Sequence, residues 1–401
     1  MLAEVPIGLM LAGLTAYAVL GGADFGAGMW ALAAGRGPRG AAIRDHAAHA
    51  TAVVWEANHV WLVYILVVCW TAYPVAFGSI TSTLAVPLFI AAVGIIFRGT
   101  AYALRSPLAG RREEDVVGAV FGLACVLTPF ALGAVAGGIA AGKVPVGNAR
   151  GDLWSSWLNA TSVAVGVIAV VTAAFLAAVF LAADAARLGD EQLTRSFRVR
   201  ALVTGVVAGA AAFAGLLVVR SDDASLWHGL SHGAGLGAVV VSAVAGLATF
   251  AFVWVDRFEP ARATSALAVA AVVAGWAFAQ RPNLLPGLTV QEAAAGHSTL
   301  VALVVAVAIG AVVLVPSLAL LFGLVLRGRF DPQARPTAEA IPELRGAPRR
   351  NAAVKVAGAC AVLGVPLTFF GSSWVIAIGV VLLLAFAVAA FPLLAAPPGE
   401  Q

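Results

Sequence analysis

Charge is scarce in this chain: only 11% of its 401 residues are Asp, Glu, Lys or Arg, whereas 61% are hydrophobic. Mean hydropathy is +0.97. A water-soluble domain needs far more charge at its surface, so this scarcity excludes one and leaves an integral membrane protein. Cysteine is rarer still. Cys69, Cys125 and Cys360 lie far apart in apolar segments and form no C-x-x-C pair. That excludes a disulfide framework and a thiolate metal centre, and leaves small core residues. Also absent are an H-E-x-x-H motif, a phosphate-cradling glycine loop and a nucleophile elbow, so metalloprotease, nucleotide-binding and serine-hydrolase readings find no support. The pI of about 9.3 does not point to nucleic acid, because the arginines gather in loops between apolar runs, where they report topology.

Helix-length apolar sequence is what the chain has in abundance. A spanning helix takes roughly 20 apolar residues, and the alternation of a transmembrane barrel is missing. Spans are expected near 6–34, 50–72, 79–104, 116–141, 158–187, 199–219, 233–255, 264–280 and 299–326, followed by 352–370 and 373–394. The expected fold is an all-α integral membrane protein of about nine to eleven transmembrane helices, arranged as two four-helix bundles plus peripheral helices. Residues 1–141 would form the first bundle and 158–280 the second, with a ninth helix at 297–327. A Pro- and Arg-rich cytoplasmic linker, 328–351, would lead to an extra C-terminal hairpin, 352–394. Glu4 stands where a signal peptide would be cationic, so the first segment reads as a span. With the N-terminus outside, the odd-numbered loops hold roughly 19 of the 24 basic residues, as the positive-inside rule requires. A faint repeat pairs Asp24 with Asp184, each near a helix end before a basic turn.

Ionisable groups inside spans cost about 2.5–3.5 kcal/mol each and point by default to function. Here they are Asp24, Glu56, His59 and Arg98, with Asp45, His46 and His49 where the second span begins. At about 100° per residue, Asp45, His49, Glu56 and His59 share an arc of roughly 80° and a rise of about 21 Å. Ala52 fills the gap in that stripe and leaves room for water. Carboxylates and imidazoles so spaced can pass protons through bridging waters, since His titrates near neutrality and burial raises a carboxyl pKa toward it. The bland alternative pairs the stripe with Arg98 or neighbouring backbone. Trp55 and Asn58 point away from the stripe and suit helix contacts, and Trp61 suits an interfacial anchor. Gly22, Gly26 and Gly28 permit close helix approach around Asp24. His228 and His232 have metal-ligand spacing but follow charged loop residues, which favours an interfacial polar pair.

Five blocks together carry a family resemblance: GADFGAGMW (Gly22–Trp30), WEANHVWL (Trp55–Leu62), TAYPVAF (Thr71–Phe77), FRGTAYALRS (Phe97–Ser106) and NLLPG (Asn283–Gly287). Over about the first 330 residues the chain resembles subunit II of the cytochrome bd-type terminal oxidases. In that family the second block reads W-D-G-N-E-x-W-L, so Glu56 stands at its aspartate and His59 at its glutamate. Asp24 matches the second aspartate of D-G-F-D-x-G, and Gly21 replaces the first. The resemblance implies a subunit of a respiratory oxidase that reduces oxygen to water with electrons from quinol. It implies a haem-bearing subunit I as partner, holding haem b and haem d, and no cofactor bound by this chain alone, with room for a structural quinone and small accessory subunits. It implies a bacterial plasma membrane location and no catalytic or metal-binding residue in this chain.

Joined to the stripe, the resemblance gives a proton pathway from the cytoplasm with Asp45 and His49 at its mouth, Glu56 as central relay, and His59 and Asp24 as further polar support. Trp55, Asn58, Trp61 and Arg98 are expected to pack around it. Two other classes fit parts of the pattern: a proton-coupled secondary transporter, although no paired Gly/Pro helix breaks stand out, and a purely structural membrane scaffold.

Overall fold

The computed structural model describes residues 2–104 and 111–326, with isolated residues between 359 and 382; side chains of 51–57, 102–104, 111–115, 321–322 and 324–326 fall outside that description. The chain divides into Met1–Leu321 and Phe322–Gln401. The expected linker and C-terminal hairpin lie in the second unit, almost entirely outside the described residues.

In the first unit a short 3-10 turn leads into α1 (Val5–Leu32), then α2 (Pro38–Ala72), α3 (Pro74–Thr83), α4 (Ala85–Leu104) and α5 (Arg111–Ala140). After a loop come α6 (Ala160–Arg187), α7 (Glu191–Asp222), α8 (Ala224–Ser231), α9 (Gly233–Trp254) and α10 (Phe258–Gln280). A small antiparallel hairpin, β1 (Asn283–Leu285) with β2 (Leu288–Thr289), precedes α11 (Val290–Ala293) and α12 (His297–Leu326). The NLLPG block is this hairpin, with Leu285 fully buried and Gly287 at positive φ in the turn.

Local chemistry sets the helix ends. Pro6, Pro38 and Pro74 occupy first turns, where the missing N–H has no helical partner to lose. Asn159 caps α6 through Ser162 N at 2.9 Å, and Asp190 caps α7 through Leu193 N at 2.9 Å. Thr289 and Glu292 form a reciprocal capping box on α11.

Seven described helices are long and apolar enough to cross a membrane, or eight when the bent pair α3–α4 counts as one span. The chain is thus an all-α multi-pass membrane protein. The finer expectation of nine to eleven spans is not reached among the described residues, and two of those spans, 352–370 and 373–394, lie almost entirely outside them. Part of the difference is α2: Asn58–Ala72 is an apolar helix, and the side chains of 51–57, in the rest of the expected span 50–72, lie outside the described residues. Its 35 residues extend about 52 Å, well beyond a hydrocarbon core of about 30 Å. The other difference is the third span. Residues 79–104 were expected to be continuous, yet α3 and α4 meet at Leu84 with a bend of 82°. Pro87 offers no N–H to the Thr83 carbonyl, and the Ser156 hydroxyl donates to that carbonyl instead, at 3.4 Å.

α1 and α6 pack side by side; α1 also meets α2, α5 and α10, and α6 also meets α5, α7 and α10. Small residues permit this. A Cβ on Gly26 would overlap the Ala173 carbonyl of α6, and one on Gly22 would press on Leu176. The Trp30 indole N–H donates to Ala174 O across the same seam at 2.9 Å. One apolar cluster, with Phe175, Phe197, Val253 and Phe258, gathers near the α6–α7 turn. A second, with Val68, Tyr73, Leu84 and Leu285, fills the opposite end. Many large apolar side chains face outward, among them Phe89, Phe213 and Leu247, which suits hydrocarbon contact.

Candidate functional site

A third cluster, Tyr17, Phe25, Ala101, Phe121 and Cys125, lines the space between α1, α4 and α5. Charge sits inside it. Asp24, in the glycine-rich part of α1, accepts a hydrogen bond from Arg98 of α4, and the two side chains are 0% and 3% exposed. The guanidinium lies 4.7 Å from the Phe25 ring centroid and 5.5 Å from that of Phe121, close enough for cation–π attraction. It also approaches the Cys125 thiol. A Cβ on Gly28 would overlap that sulfur, so the glycine lets α5 come this near. Removing either member of such a pair strands a charge in a dry core.

α2 closes the same site. Asn58 is wholly buried and its amide lies against Gly21, where any Cβ would collide with it. Asn58 and His59 are both near enough to act on the Asp24 carboxylate, although neither Asn58 polar atom reaches hydrogen-bonding geometry with a described group. The helical wheel put Asn58 off the stripe, and it is the Asn58 face of α2 that α1 covers. His59, one residue on, is half-buried.

At the far end of α2, Asp45 and His49 form an i,i+4 pair with Nδ1–Oδ1 at 3.3 Å, 76% and 62% exposed. Between them and Asn58 stand Glu56 and Trp55, whose positions on α2 are described while their side chains lie outside the described residues. Trp61 is half-buried and meets Tyr64 edge-on at 6.2 Å. His46, by contrast, is buried: its Nε2 lies 3.0 Å from Leu181 O. A carbonyl only accepts, so Nε2 carries the proton and His46 ties α2 to α6.

The other sequence candidates form separate groups. Asp184 receives Arg187 at 2.6 Å and Arg262 at 3.0 Å, and Glu259 stands 3.5 Å from Arg262. His228 and His232 stack at 4.3 Å between centroids on an exposed turn. Among the described residues no group of three His, Cys, Asp or Glu could hold a metal ion. Sequence reasoning passed over Tyr17 and Cys125. Tyr17 lies two turns before Asp24 on the same face of α1, buried and within electrostatic range of both Asp24 and Arg98; the seven-residue spacing was its signal. Cys125 had none.

Outside the spans, Asp152 in the loop between α5 and α6 is held below the usual carboxylate range. Backbone N–H groups of Ser155 and Trp154 and the Ser155 hydroxyl stabilise its anion.

The family model for cytochrome bd terminal oxidase subunit II matches residues 2–325. Among solved structures, a chain of "The structure of bd oxidase from Geobacillus thermodenitrificans" superposes with a TM-score of 0.64 at 24% identity, covering 81% of this chain and 98% of that one. At that identity the likeness speaks for the fold. No curated protein matches.

Proposed function

This chain belongs to the cytochrome bd terminal oxidase subunit II family, and from that premise we propose that it carries protons from the cytoplasm toward the oxygen-reducing haems of its partner subunit. Family membership gives it a role in a respiratory oxidase and implies pairing with a haem-bearing catalytic subunit. In the proposal, quinol supplies the electrons, haem b and haem d reside in the partner, and the membrane is the bacterial plasma membrane with the N-terminus outside. The two four-helix halves, 1–141 and 158–280, belong to the same reading. The way α1 meets α2 and α5 parallels the way α6 meets α7 and α10, and α4 packs on α5 as α9 packs on α10.

The observation that carries the reading is an ionisable pair, Asp24–Arg98, enclosed between apolar helices at the level where α2 brings Asn58 and His59. Lipid-embedded helices do not keep such groups without use or compensation. Moving an electron onto a haem in a low-dielectric site is unfavourable unless a proton follows. A protonatable chain along α2, from exposed Asp45 and His49 through Glu56 to His59 and Asp24, can deliver it. Taking that proton from one side only conserves energy as membrane potential.

The same ion pair favours a second reading, a scaffold in which Asp24 and Arg98 merely fasten α1 to α4. Glu56→Gln in the purified two-subunit oxidase separates the two. The proton reading expects haem content to stay complete while oxygen consumption falls, and a complex that keeps both at the native level leaves the scaffold.

A further inference from the structure

Many threonines inside these helices return their hydroxyl to their own backbone. Thr15, Thr81, Thr100, Thr204, Thr249 and Thr264 each donate to the carbonyl four residues back, at 2.6–3.0 Å. Thr128 of α5 does not. Its side chain is completely buried, and its hydroxyl has no hydrogen bond among the described residues. The oxygen points across to α4, where it occupies the space a side chain on Gly94 would need. Gly94 precedes Arg98 by one helical turn, about 6 Å.

Thr128 is not alone in this. Asp24 Oδ2, both amide atoms of Asn58, and Nε and Nη1 of Arg98 are likewise buried without a hydrogen bond to a described group. Donors and acceptors thus converge from α1, α2, α4 and α5. Leaving each of them unmade would cost about 1–3 kcal/mol, whereas a buried water bound to several polar atoms satisfies them together. The order along the membrane normal follows from the antiparallel contacts. Gly21 meets Asn58 and Gly13 meets Tyr64 between α1 and α2, while Gly94 meets Thr128 between α4 and α5. Between α1 and α5, Gly122 meets Leu32 and Gly28 meets Cys125, so Thr128, three residues on, lies about level with Asp24.

We propose that the junction of α1, α2, α4 and α5 binds a cluster of water bridging Asn58, Asp24, Arg98 and Thr128, and that Thr128 is the positioning residue that holds this water beside Asp24 on the proton route. The inference rests on the proton reading above. The mobile proton travels on the waters that bridge these groups. The Thr128 hydroxyl accepts from one water and donates to the next, and Gly94 keeps its seat open.

The test uses the purified two-subunit oxidase. A single-particle map that resolves water is expected to place an ordered molecule within hydrogen-bonding distance of Thr128 Oγ1 and of Arg98 or Asp24. Thr128→Val keeps the shape and removes the hydroxyl. It should lose that water and slow oxygen consumption by roughly two- to tenfold, the equivalent of one net hydrogen bond, with haem content unchanged and a larger solvent deuterium isotope effect. Thr128→Ser should restore the rate. The proposal fails if the native map shows the hydroxyl bonded to its own helix with no water beside it. It fails too if Thr128→Val runs at the native rate, or if serine does not rescue it. Should the valine variant not assemble, the native map alone decides. Glu56→Gln measured in parallel tells the failures apart: slow Glu56→Gln beside fast Thr128→Val removes the chamber and leaves the relay, and full rates in both remove both.

Discussion

Asp24 and Asp184 look alike in the sequence, each an acid near the end of an apolar run before a basic turn, but they sit in opposite environments. Asp24 lies two turns inside α1, has Arg98 as its ion partner, and is cut off from solvent. Asp184 lies in the last turn of α6, is 12% exposed, and shares two arginines that themselves reach solvent. Depth, more than residue type, separates a charge that needs a specific partner from one that water and spare arginines can accommodate. Asp184 ties α6 to α10 at a polar rim. Asp24 places ionisable chemistry where hydrocarbon would otherwise be.

The largest expected effect follows from that contrast. Asp24→Asn or Arg98→Gln alone leaves one buried charge without its counterpart, a loss of about 3–5 kcal/mol. Thermal inactivation of the complex should show it, and the double variant should recover most of it. Equal losses from Asp184→Asn would erase the distinction.

How far such differences could be read beforehand depends on which physical signal carries them. Apolar runs placed α1, α6, α9 and α12 within about two residues, because hydrophobic length decides a span, whereas α5, α7 and α10 begin five to eight residues earlier, in charged first turns that hydrophobicity does not mark. The break at Leu84 escaped, since proline is an ambiguous mark here: Pro129 and Pro316 sit inside unbroken helices. What decides at Pro87 is tertiary: Ser156 takes over the freed carbonyl, and Gly151 lets the loop between α5 and α6 close on Thr83. At the site, Asp24 and Arg98 were each legible as costly charges, yet nothing in their spacing, 74 residues apart, joined them. The wheel for α2 set Asn58 on a face suited to helix contact but could not name α1 as the helix that covers it, because periodicity finds a face and cannot say which neighbour covers it.

A smaller effect concerns the seam between α1 and α6. Gly26→Ala drives a methyl into the Ala173 carbonyl and should cost about 1–3 kcal/mol through overpacking, read as loss of complex on heating. Gly246→Ala, where nothing lies within 4 Å, is the matched control and should cost nothing. Smaller again is Asp184→Asn, expected at about 1 kcal/mol or less and fading with salt, because Arg262 keeps Glu259 and solvent.

The smallest effect lies at the loop between α5 and α6. The carboxyl of Asp152 sits below its ordinary 3.8, so its contribution is present above that value and is lost as pH falls through the lowered one. Asp152→Asn should therefore weaken the loop near neutrality and converge with the native chain in strong acid. Proteolysis of the loop across pH reads this directly.

The central claim is that the enclosed charges between α1, α2 and α4 move protons as well as hold helices. Oxygen consumption per haem by the Asp24→Asn/Arg98→Gln double variant tests it most directly, because that pair stays hydrogen-bonded and neutral while losing its ionisable groups. The account predicts an assembled, fully haem-loaded complex that turns over far more slowly than the native one; turnover at the native rate would contradict it.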